Sequence, residues 1–268
     1  MNFFVTILGS GAALPTGRRR CSAQVVNVNG FKLLLDCAEG TQDRIRQHHL
    51  KLQSLGTVLI SHLHGDHFFG LAPLLSTMHL CGRTEPMTIV APKGAKEVIE
   101  TTFELTGNHI GYELIFTEMD FAEGLHRVFE GKRCVVDAFP ILHSVPTYGF
   151  RITSQLSPFT SHLSPLTYTY CCDTAYSDDL VPYLRDSSLL CLESTFADDL
   201  AELAQQRQHL TAGQAATLAA KAGVNQLLLT HISARYREPQ LLLDQATALF
   251  PNTLLASDGL VVEVKAER

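Results

Sequence analysis

Three histidines and an aspartate lie within six consecutive residues of this 268-residue chain, in the pattern H-x-H-x-D-H. The four residues are His62, His64, Asp66 and His67, and they directly follow the apolar run 57–60. Burying so many polar groups at a strand end is costly unless partners satisfy them, and a metal ion is such a partner. Neutral imidazole and carboxylate groups suit zinc, and manganese or iron also accept them. The pattern therefore predicts a metal site.

The spacing of these residues predicts positions for two ions. Side chains two residues apart in an extended stretch point the same way, so His62 and His64 can hold one ion together. A turn at Gly65 would then aim Asp66 and His67 toward a second ion. Four side chains cannot complete two coordination shells, so further ligands must follow other strands. The candidates are His143, His231 and Asp173, whose carboxylate alone among the three could bridge two ions.

The remaining histidines carry no such signal. A lone histidine is more often a satisfied polar residue than a metal ligand. This interpretation covers His48, His49, His79, His109, His126 and His162. From the residues alone it also covers His209, which precedes a helix whose expected N-cap is Thr211. The basic triplet at 18–20 is typical of a solvated loop.

Short β-rich runs alternate with helix-like stretches along the chain. The runs are 3–9, 23–30, 31–37, 57–62, 87–92, 132–143, 148–153, 166–174, 189–195, 226–232 and 253–264. Apolar residues at helical spacing predict helices at 41–48, 69–79, 93–106, 212–222 and 239–249. The early runs are close enough to form hairpins, with Asn29-Gly30 as a turn, and helices separate the later ones. This mixture predicts two sheets covered by helices on the outside, an α/β fold, with a loop at 153–167.

Composition narrows the class of protein. A net charge of −6 and a pI near 6.0 argue against a broad electrostatic grip on nucleic acid, although bound divalent ions would add positive charge locally. The seven cysteines form no C-x-x-C pair, which favours reduced thiols. The apolar run at the N-terminus is too short for a membrane span. We therefore expect a cytoplasmic globular protein without a membrane partner, forming one domain over residues 1–268.

Motifs spread in order along most of the chain resemble those of one enzyme family. They include LGSGAALPTGRR, LLLDCAEGTQDRI, SHLHGDHFFGLAPLL, LESTF, HLTAGQAA and THISARY. The histidine-aspartate motif is typical of the whole metallo-β-lactamase superfamily. The last three motifs are specific to its ribonuclease Z branch. The resemblance implies a four-layer αββα sandwich, the metallo-β-lactamase fold, with a dinuclear site at one edge.

The same resemblance implies a ligand set for two divalent ions, with zinc expected and manganese or iron possible. One ion would be held by His62, His64 and His143, and the other by Asp66, His67 and His231. Asp173 would bridge the two. Ions about 3.5–4 Å apart can hold a hydroxide and stabilise both oxygens of a phosphodiester displacement. Asp66 is also the candidate to orient or deprotonate the attacking water.

A proton donor is also implied by the resemblance. Cleavage of a phosphodiester leaves an alkoxide, and members of the family are thought to protonate it with a histidine of the HLTA motif. A glutamate of the LESTF motif supports that histidine. These positions are His209 and Glu193. The implied activity is endonucleolytic 3′ processing of precursor tRNA by a homodimer.

One departure from the family pattern concerns the interval between His143 and Asp173. Bacterial members usually carry a long tRNA-gripping arm there, and this chain has a short segment without lysine or arginine between Arg151 and Asp173. A phosphate-gripping arm needs such charges. The departure favours an alternative, a phosphodiesterase for small phosphodiesters or cyclic nucleotides. A thioester or lactam hydrolase and a non-catalytic binding protein are further alternatives.

Overall fold

Two seven-stranded β-sheets pack face to face in the computed structural model, which describes residues 2–155 and 164–266. The first strands are β1 (Phe3–Gly9), β2 (Ala23–Val28), β3 (Phe31–Leu35), β4 (Leu55–Leu59), β5 (Met87–Pro92), β6 (Leu114–Met119) and β7 (His126–Glu130). The others are β8 (Cys134–Ile141), β9 (Thr147–Ser154), β10 (Thr167–Cys171), β11 (Leu189–Glu193), β12 (Leu227–Thr230), β13 (Thr253–Leu255) and β14 (Val261–Glu263). The first sheet has the order β14-β1-β2-β3-β4-β5-β6, and the second β13-β12-β11-β10-β9-β8-β7.

Helices cover the outer face of each sheet. They are α1 (Thr41–Gln47), α2 (Gly65–Phe68), α3 (Leu71–Leu80), α4 (Ala95–Thr106), α5 (Val181–Leu184), α6 (Ala201–Arg207), α7 (Ala212–Ala222) and α8 (Gln240–Leu249). One apolar cluster fills the space between the sheets, a second lies between the first sheet and α1, α3 and α4, and a third lies between the second sheet and α5, α7 and α8. This arrangement confirms the predicted four-layer αββα sandwich. Within the described ranges, no helix combines the length and apolar character needed to cross a bilayer.

The chain builds the first sheet from both of its ends. Strands β1, β2 and β3 are antiparallel, and Val28 pairs with Phe31 across the predicted turn. Asn29 and Gly30 both have left-handed backbones there, with φ of 50° and 91°, which suits a two-residue hairpin. The other neighbour of β1 is β14, so the last strand of the chain completes the sheet that the first strand began.

Most predicted elements are observed, and the missed ones are edge strands or short helices, the seven-residue α6 among them. Strands β1 and β5 and helix α7 have the predicted bounds, while the run 253–264 divides into β13 and β14. Strands β6 and β7 were missed because they are sheet edges, and their exposed polar residues break the apolar pattern. Helices α2 and α5, four residues each, are too short to show periodicity. Of the predicted loop 153–167, residues 156–163 lie outside the described residues.

Parallel strands set the position of the candidate site. Strands β3, β4 and β5 are mutually parallel in the first sheet, as are β10, β11 and β12 in the second. Side chains that follow the carboxyl ends of such strands gather at one edge of a sheet. A parallel bridge between Gly11 and Ile232 joins the two halves at this edge.

Candidate metal centre

The H-x-H-x-D-H segment leaves the first sheet at the end of β4. Its chain stays extended as far as His64, which is the N-cap of α2 with φ −63° and ψ 149°. The expected turn at Gly65 was wrong, because Gly65 is the first residue of this short helix. Asp66 and His67 therefore lie in one helical turn, and the ring centroid of His67 lies 4.1 Å from that of His62. The Nε2 atom of His62 lies 3.1 Å from Nδ1 of His64.

The second sheet brings the other three candidate residues to the same place, each from a different strand. His143 follows β8, Asp173 follows β10, and His231 follows β12. Oδ2 of Asp173 lies 3.8 Å from Nε2 of both His62 and His143, whereas Oδ1 lies 3.4 Å from Nε2 of His67 and 3.3 Å from that of His231. The structure thus brings all seven residues together as two groups that share Asp173. The groups are His62, His64 and His143 with Asp173, and Asp66, His67 and His231.

Asp36 is a functional candidate that the sequence reasoning missed. Its buried carboxylate accepts hydrogen bonds from Nδ1–H of His67 at 2.7 Å and from the Tyr170 hydroxyl at 2.7 Å. It also accepts the Ser61 hydroxyl at 3.0 Å, and the oxygen of that hydroxyl faces Nδ1 of His62 at 3.0 Å. Since a hydroxyl has one proton, Ser61 gives it to Asp36 and accepts the N–H of His62. We call these four residues, Asp36, Ser61, His62 and His67, the Asp36 network.

A sequence signal for Asp36 exists. The residue directly follows the apolar strand segment LLL, and an acidic side chain is almost never fully buried unless it is paired. Its backbone φ of 54° is also unusual for a residue other than glycine. His231 shares this left-handed conformation, with φ of 57°. Such conformations cluster at functional sites.

Glu193 organises a second set of hydrogen bonds at the end of β11. Its buried carboxylate accepts Nδ1–H of His209 at 2.8 Å through Oε1, and the Thr195 hydroxyl at 2.6 Å through Oε2. The oxygen of Thr195 lies 2.9 Å from Nδ1 of His231, so it accepts the N–H of that imidazole. We call Glu193, Thr195, His209 and His231 the Glu193 network. It joins the two residues of the predicted proton-donor pair to a candidate metal ligand.

The hydrogen bonds leave the imidazole nitrogens and the Asp173 carboxylate in a state that suits cation binding. Nδ1 of His67 and Nδ1 of His231 each carry a donated proton, so in the neutral form of the two rings, the form that binds metal, the Nε2 atoms face each other with lone pairs, 3.3 Å apart. Lone pairs at that distance repel unless a positive charge lies between them. Oδ1 of Asp173 is buried without a hydrogen-bond partner among the described residues. Imidazole and carboxylate donors with these unmet needs suit divalent metal ions.

The pKa shifts also indicate a demand for positive charge. Burial lowers the pKa of His67, but the carboxylates of Asp173, Asp36 and Asp66 outweigh it and raise the pKa to about 10. Burial raises the pKa of Asp173, but the surrounding imidazoles, with His231 foremost, hold it well below its usual value. Burial, aided by His67, lowers the pKa of His62 to about 2. Asp173 is therefore ionised, and metal ions would balance its charge in place of the proton that the raised pKa places on His67.

His209 is held in its charged form next to this centre. Burial lowers the pKa of His209, but the charge and hydrogen bond of Glu193 raise it to about 9. The ring lies 5.4 Å from that of His231 and 5.3 Å from that of His143, measured between centroids. The expected N-cap Thr211, two residues after His209, accepts the N–H of Gln214 and fixes the start of α7 at Ala212. A protonated imidazole so placed can act as a general acid.

A cavity of about 460 Å³ opens over these side chains. Arg207 and Arg235 line it together with Phe196, and the guanidinium of Arg235 lies 4.8 Å from the Phe196 ring centroid. Arg18, Arg19, Tyr236 and Arg237 line a neighbouring cavity of about 340 Å³, where Arg18 pairs with Glu238. The mouth of the site is therefore locally basic although the chain is acidic overall. Lys93, another basic residue, pairs with Asp120.

Comparisons with known proteins agree with this geometry. Residues 32–232 match the family model described as beta-lactamase superfamily domain. The chain is 34% identical to a Ribonuclease Z from Bacteroides fragilis over 304 aligned residues, which cover 98% of this chain and 99% of that protein. It is 30% identical to the crystal structure of human tRNase Z, short form, with a TM-score of 0.83 and coverage of 98% of this chain and 100% of the human one. A metallo-beta-lactamase fold protein from Bacillus subtilis, 22% identical with a TM-score of 0.79, shares the fold over 98% of this chain.

The relatives align over nearly the full length of both chains, so the likeness extends beyond the superfamily domain to both cavities and both sheets. The fold and the clustered donors together indicate a hydrolase that uses divalent metal. The chain belongs to the ribonuclease Z family of the beta-lactamase superfamily.

Proposed function

We propose that this protein is a dinuclear-metal phosphodiesterase that cleaves precursor tRNA endonucleolytically at its 3′ side. The observation that carries the proposal is the 2.8 Å hydrogen bond between His209 and Glu193 beside the two donor groups. A hydrolase whose leaving group departs as a stable anion has little need of a proton donor, whereas an alkoxide leaving group needs one. The names of the aligned relatives point to the same reaction.

The donor geometry supports one ion at each group. His62, His64 and His143 would hold the first ion, Asp66, His67 and His231 the second, and the two oxygens of Asp173 would each serve one ion. Three imidazoles in one group favour zinc, with manganese or iron as alternatives. Bound there, the ions would supply a nucleophile from water at neutral pH and stabilise the charge on the phosphate oxygens.

The protein's own residues would divide the remaining work. Protonated His209 would give its Nε2 proton to the departing 3′ oxygen, while Glu193 holds Nδ1 and keeps the ring charged. Asp66, whose Oδ2 also accepts the N–H of Ala13 at 2.9 Å, would orient the attacking water. Arg207 and Arg235 in the cavity wall would attract the RNA backbone. We also propose zinc as the resident metal, a homodimer as the assembly, and the cytoplasm as the location.

A second candidate substrate class is small phosphodiesters, and chain length favours it. An alignment of 304 positions against a chain of 268 residues leaves at least 36 positions of the Bacteroides relative without a counterpart here. The segment 152–172 of this chain contains no lysine or arginine. A tRNA-gripping arm in that interval would need such residues, so the chemistry could serve a smaller diester.

The deciding experiment is cleavage of a 3′-extended precursor tRNA by the zinc- or manganese-loaded protein, with bis(p-nitrophenyl) phosphate assayed in parallel. Asp66→Ala removes a proposed ligand, and Asp199→Ala, in an exposed position, is the matched control. We expect a cut after the discriminator base that Asp66→Ala abolishes and Asp199→Ala retains. Hydrolysis of the small diester with the precursor left intact would reject tRNA in favour of small phosphodiesters.

A further inference from the structure

The Asp36 and Glu193 networks have the same hydrogen-bond pattern but serve different groups. Each carboxylate accepts one imidazole N–H directly and reaches a second imidazole through a hydroxyl. In the Asp36 network both imidazoles, His67 and His62, belong to the donor groups. In the Glu193 network, one imidazole is the donor residue His231 and the other is the proton donor His209. The hydroxyl of Thr195 therefore links the donor residue His231 to Glu193, which holds the proton donor His209.

The position of Thr195 leaves its hydroxyl little freedom. The residue is buried, and its oxygen lies within hydrogen-bond distance of Oε2 of Glu193, Nδ1 of His231 and the backbone oxygen of His231 at 2.6, 2.9 and 3.1 Å. With one proton to give, the hydroxyl gives it to the closer and charged acceptor, the carboxylate. Its lone pair then receives Nδ1–H of His231. This order of donors fixes the tautomer of His231 with Nε2 toward Asp173.

The same bond also affects His209. Oε1 of Glu193 accepts both Nδ1–H of His209 and the backbone N–H of Thr174, each at 2.8 Å. Oε2 has the Thr195 hydroxyl at 2.6 Å and, at 3.4 Å, the backbone N–H of the same residue. Removing the hydroxyl would leave Oε2 without its short hydrogen bond and allow the carboxylate to rotate. The ring of His209 would then lose its fixed orientation.

We infer that Thr195 is a positioning residue whose hydroxyl couples the orientation of the metal ligand His231 to that of the proton donor His209. The inference rests on the proposed function for the role of His209. It also makes a claim about metal binding that needs no catalysis, because the tautomer of His231 decides whether Nε2 can bind a cation.

The test compares Thr195→Val, which keeps the shape and removes the hydroxyl, with Thr195→Ser, which keeps the hydroxyl. Ser61→Ala is the matched variant, because it removes the corresponding hydroxyl of the Asp36 network. Zinc affinity is measured by competition with a chelator, and kcat and KM are measured on precursor tRNA and on bis(p-nitrophenyl) phosphate. Thermal unfolding of the metal-loaded proteins identifies any variant that fails to fold.

We expect Thr195→Val and Ser61→Ala each to weaken zinc binding by about 10- to 100-fold, as for other partners of metal-bound histidines. At saturating zinc, Ser61→Ala should lower kcat on the two substrates by the same factor. Thr195→Val should lower kcat on RNA about tenfold more than on the nitrophenyl ester, whose leaving group needs no proton. In a His209→Ala background this extra loss should vanish, because the two residues act together. Thr195→Ser should stay within about threefold of the unmodified protein on every measure.

Two results would overturn the inference. One is a Thr195→Ser variant as impaired as Thr195→Val, which would assign the residue to packing. The other is an unchanged zinc affinity in a folded Thr195→Val protein. If the unmodified protein cleaves neither substrate while Thr195→Val still weakens zinc binding, the proposed function is rejected. The link from Thr195 to His231 then remains supported.

Discussion

The two sheets contribute to the candidate centre in contrasting ways. The first sheet supplies four donor residues through one short segment after β4, and Asp36 after β3 holds two of them. The second sheet supplies its residues from the ends of four different strands, with Glu193 at the end of β11. The distances between the donor side chains of the first sheet are set by their closeness in the sequence. In the second sheet they are set by the packing of separate strands.

This contrast relates to the place of the proposed proton donor His209, which lies in the loop before α7 and contacts the second sheet through Glu193. A contiguous segment holds its side chains at nearly fixed spacing, which suits a rigid set of metal donors. Separate strand ends can bring together groups of different proposed function, such as the candidate ligand His231 after β12 and Glu193, the partner of His209, at the end of β11. Asp173 faces both donor groups, with one oxygen toward each.

The largest loss of activity is expected for Asp173→Asn, because this residue lies between the donor groups of the two sheets. Replacing the carboxylate removes the charge that both groups share, so we expect cleavage of RNA to fall on the order of 10⁴-fold. Metal content, measured by atomic absorption, should fall in the same variant. Asp179→Asn, in an exposed position of the short 3-10 helix that follows, is the control. If the Asp173→Asn variant retained both metals and most of its activity, metal binding by the two donor groups would not depend on the shared carboxylate.

Removing His209 should affect proton donation and leave metal binding unchanged. We expect His209→Ala to lower kcat on precursor tRNA by about 10³-fold, within the range of a general acid, and to leave metal content unchanged. Hydrolysis of bis(p-nitrophenyl) phosphate should change much less, because nitrophenolate leaves without a proton. Equal losses on the two substrates would contradict the assignment of His209 as the acid.

Asp36→Asn tests the first sheet in the same manner. Both oxygens of Asp36 accept hydrogen bonds, one from Nδ1–H of His67 and the other from the backbone N–H of Ser61, whereas an amide has one accepting oxygen and no charge. We therefore expect metal affinity to fall by about 10- to 100-fold. With zinc in excess, kcat on RNA and on the nitrophenyl ester should fall by a common factor. If RNA cleavage fell selectively, the division of roles between the two networks would be wrong.

Glu193→Gln should have the smallest effect at neutral pH and a clear effect at alkaline pH. In the proposed mechanism the protonated form of His209 is the active one, and Glu193 raises its pKa to about 9, against burial. Loss of the carboxylate charge lowers that pKa, so the alkaline limb of the pH–rate profile should move to lower pH. The raised pKa also stabilises the fold below pH 6.5, a contribution that is lost as pH rises through about 9. A limb that stays in place would show that another group sets it.

The contrast between the sheets also decided what the sequence could predict. Local spacing was enough to propose the four candidate donors of the first sheet, since they are close in the chain. His143 and His231 could be named as candidates because each follows a β-rich run, but their grouping depends on strand order. The roles of His209 and Glu193 came from family resemblance, because nothing local relates residues on a loop and a strand. Asp36 and Thr195 act through hydrogen bonds, which a sequence pattern does not encode.

The pairing of β14 with β1 has a consequence for the synthesis of this protein. Val5 pairs with Val262, so one edge of β1 stays unpaired until nearly all of the described chain has been synthesised. During that time the nascent chain exposes an apolar strand with unpaired backbone groups, a site for aggregation or for chaperone binding. Contacts so distant in sequence also slow the closure of a sheet. The donor segment after β4 will have left the ribosome long before the sheet behind it is complete.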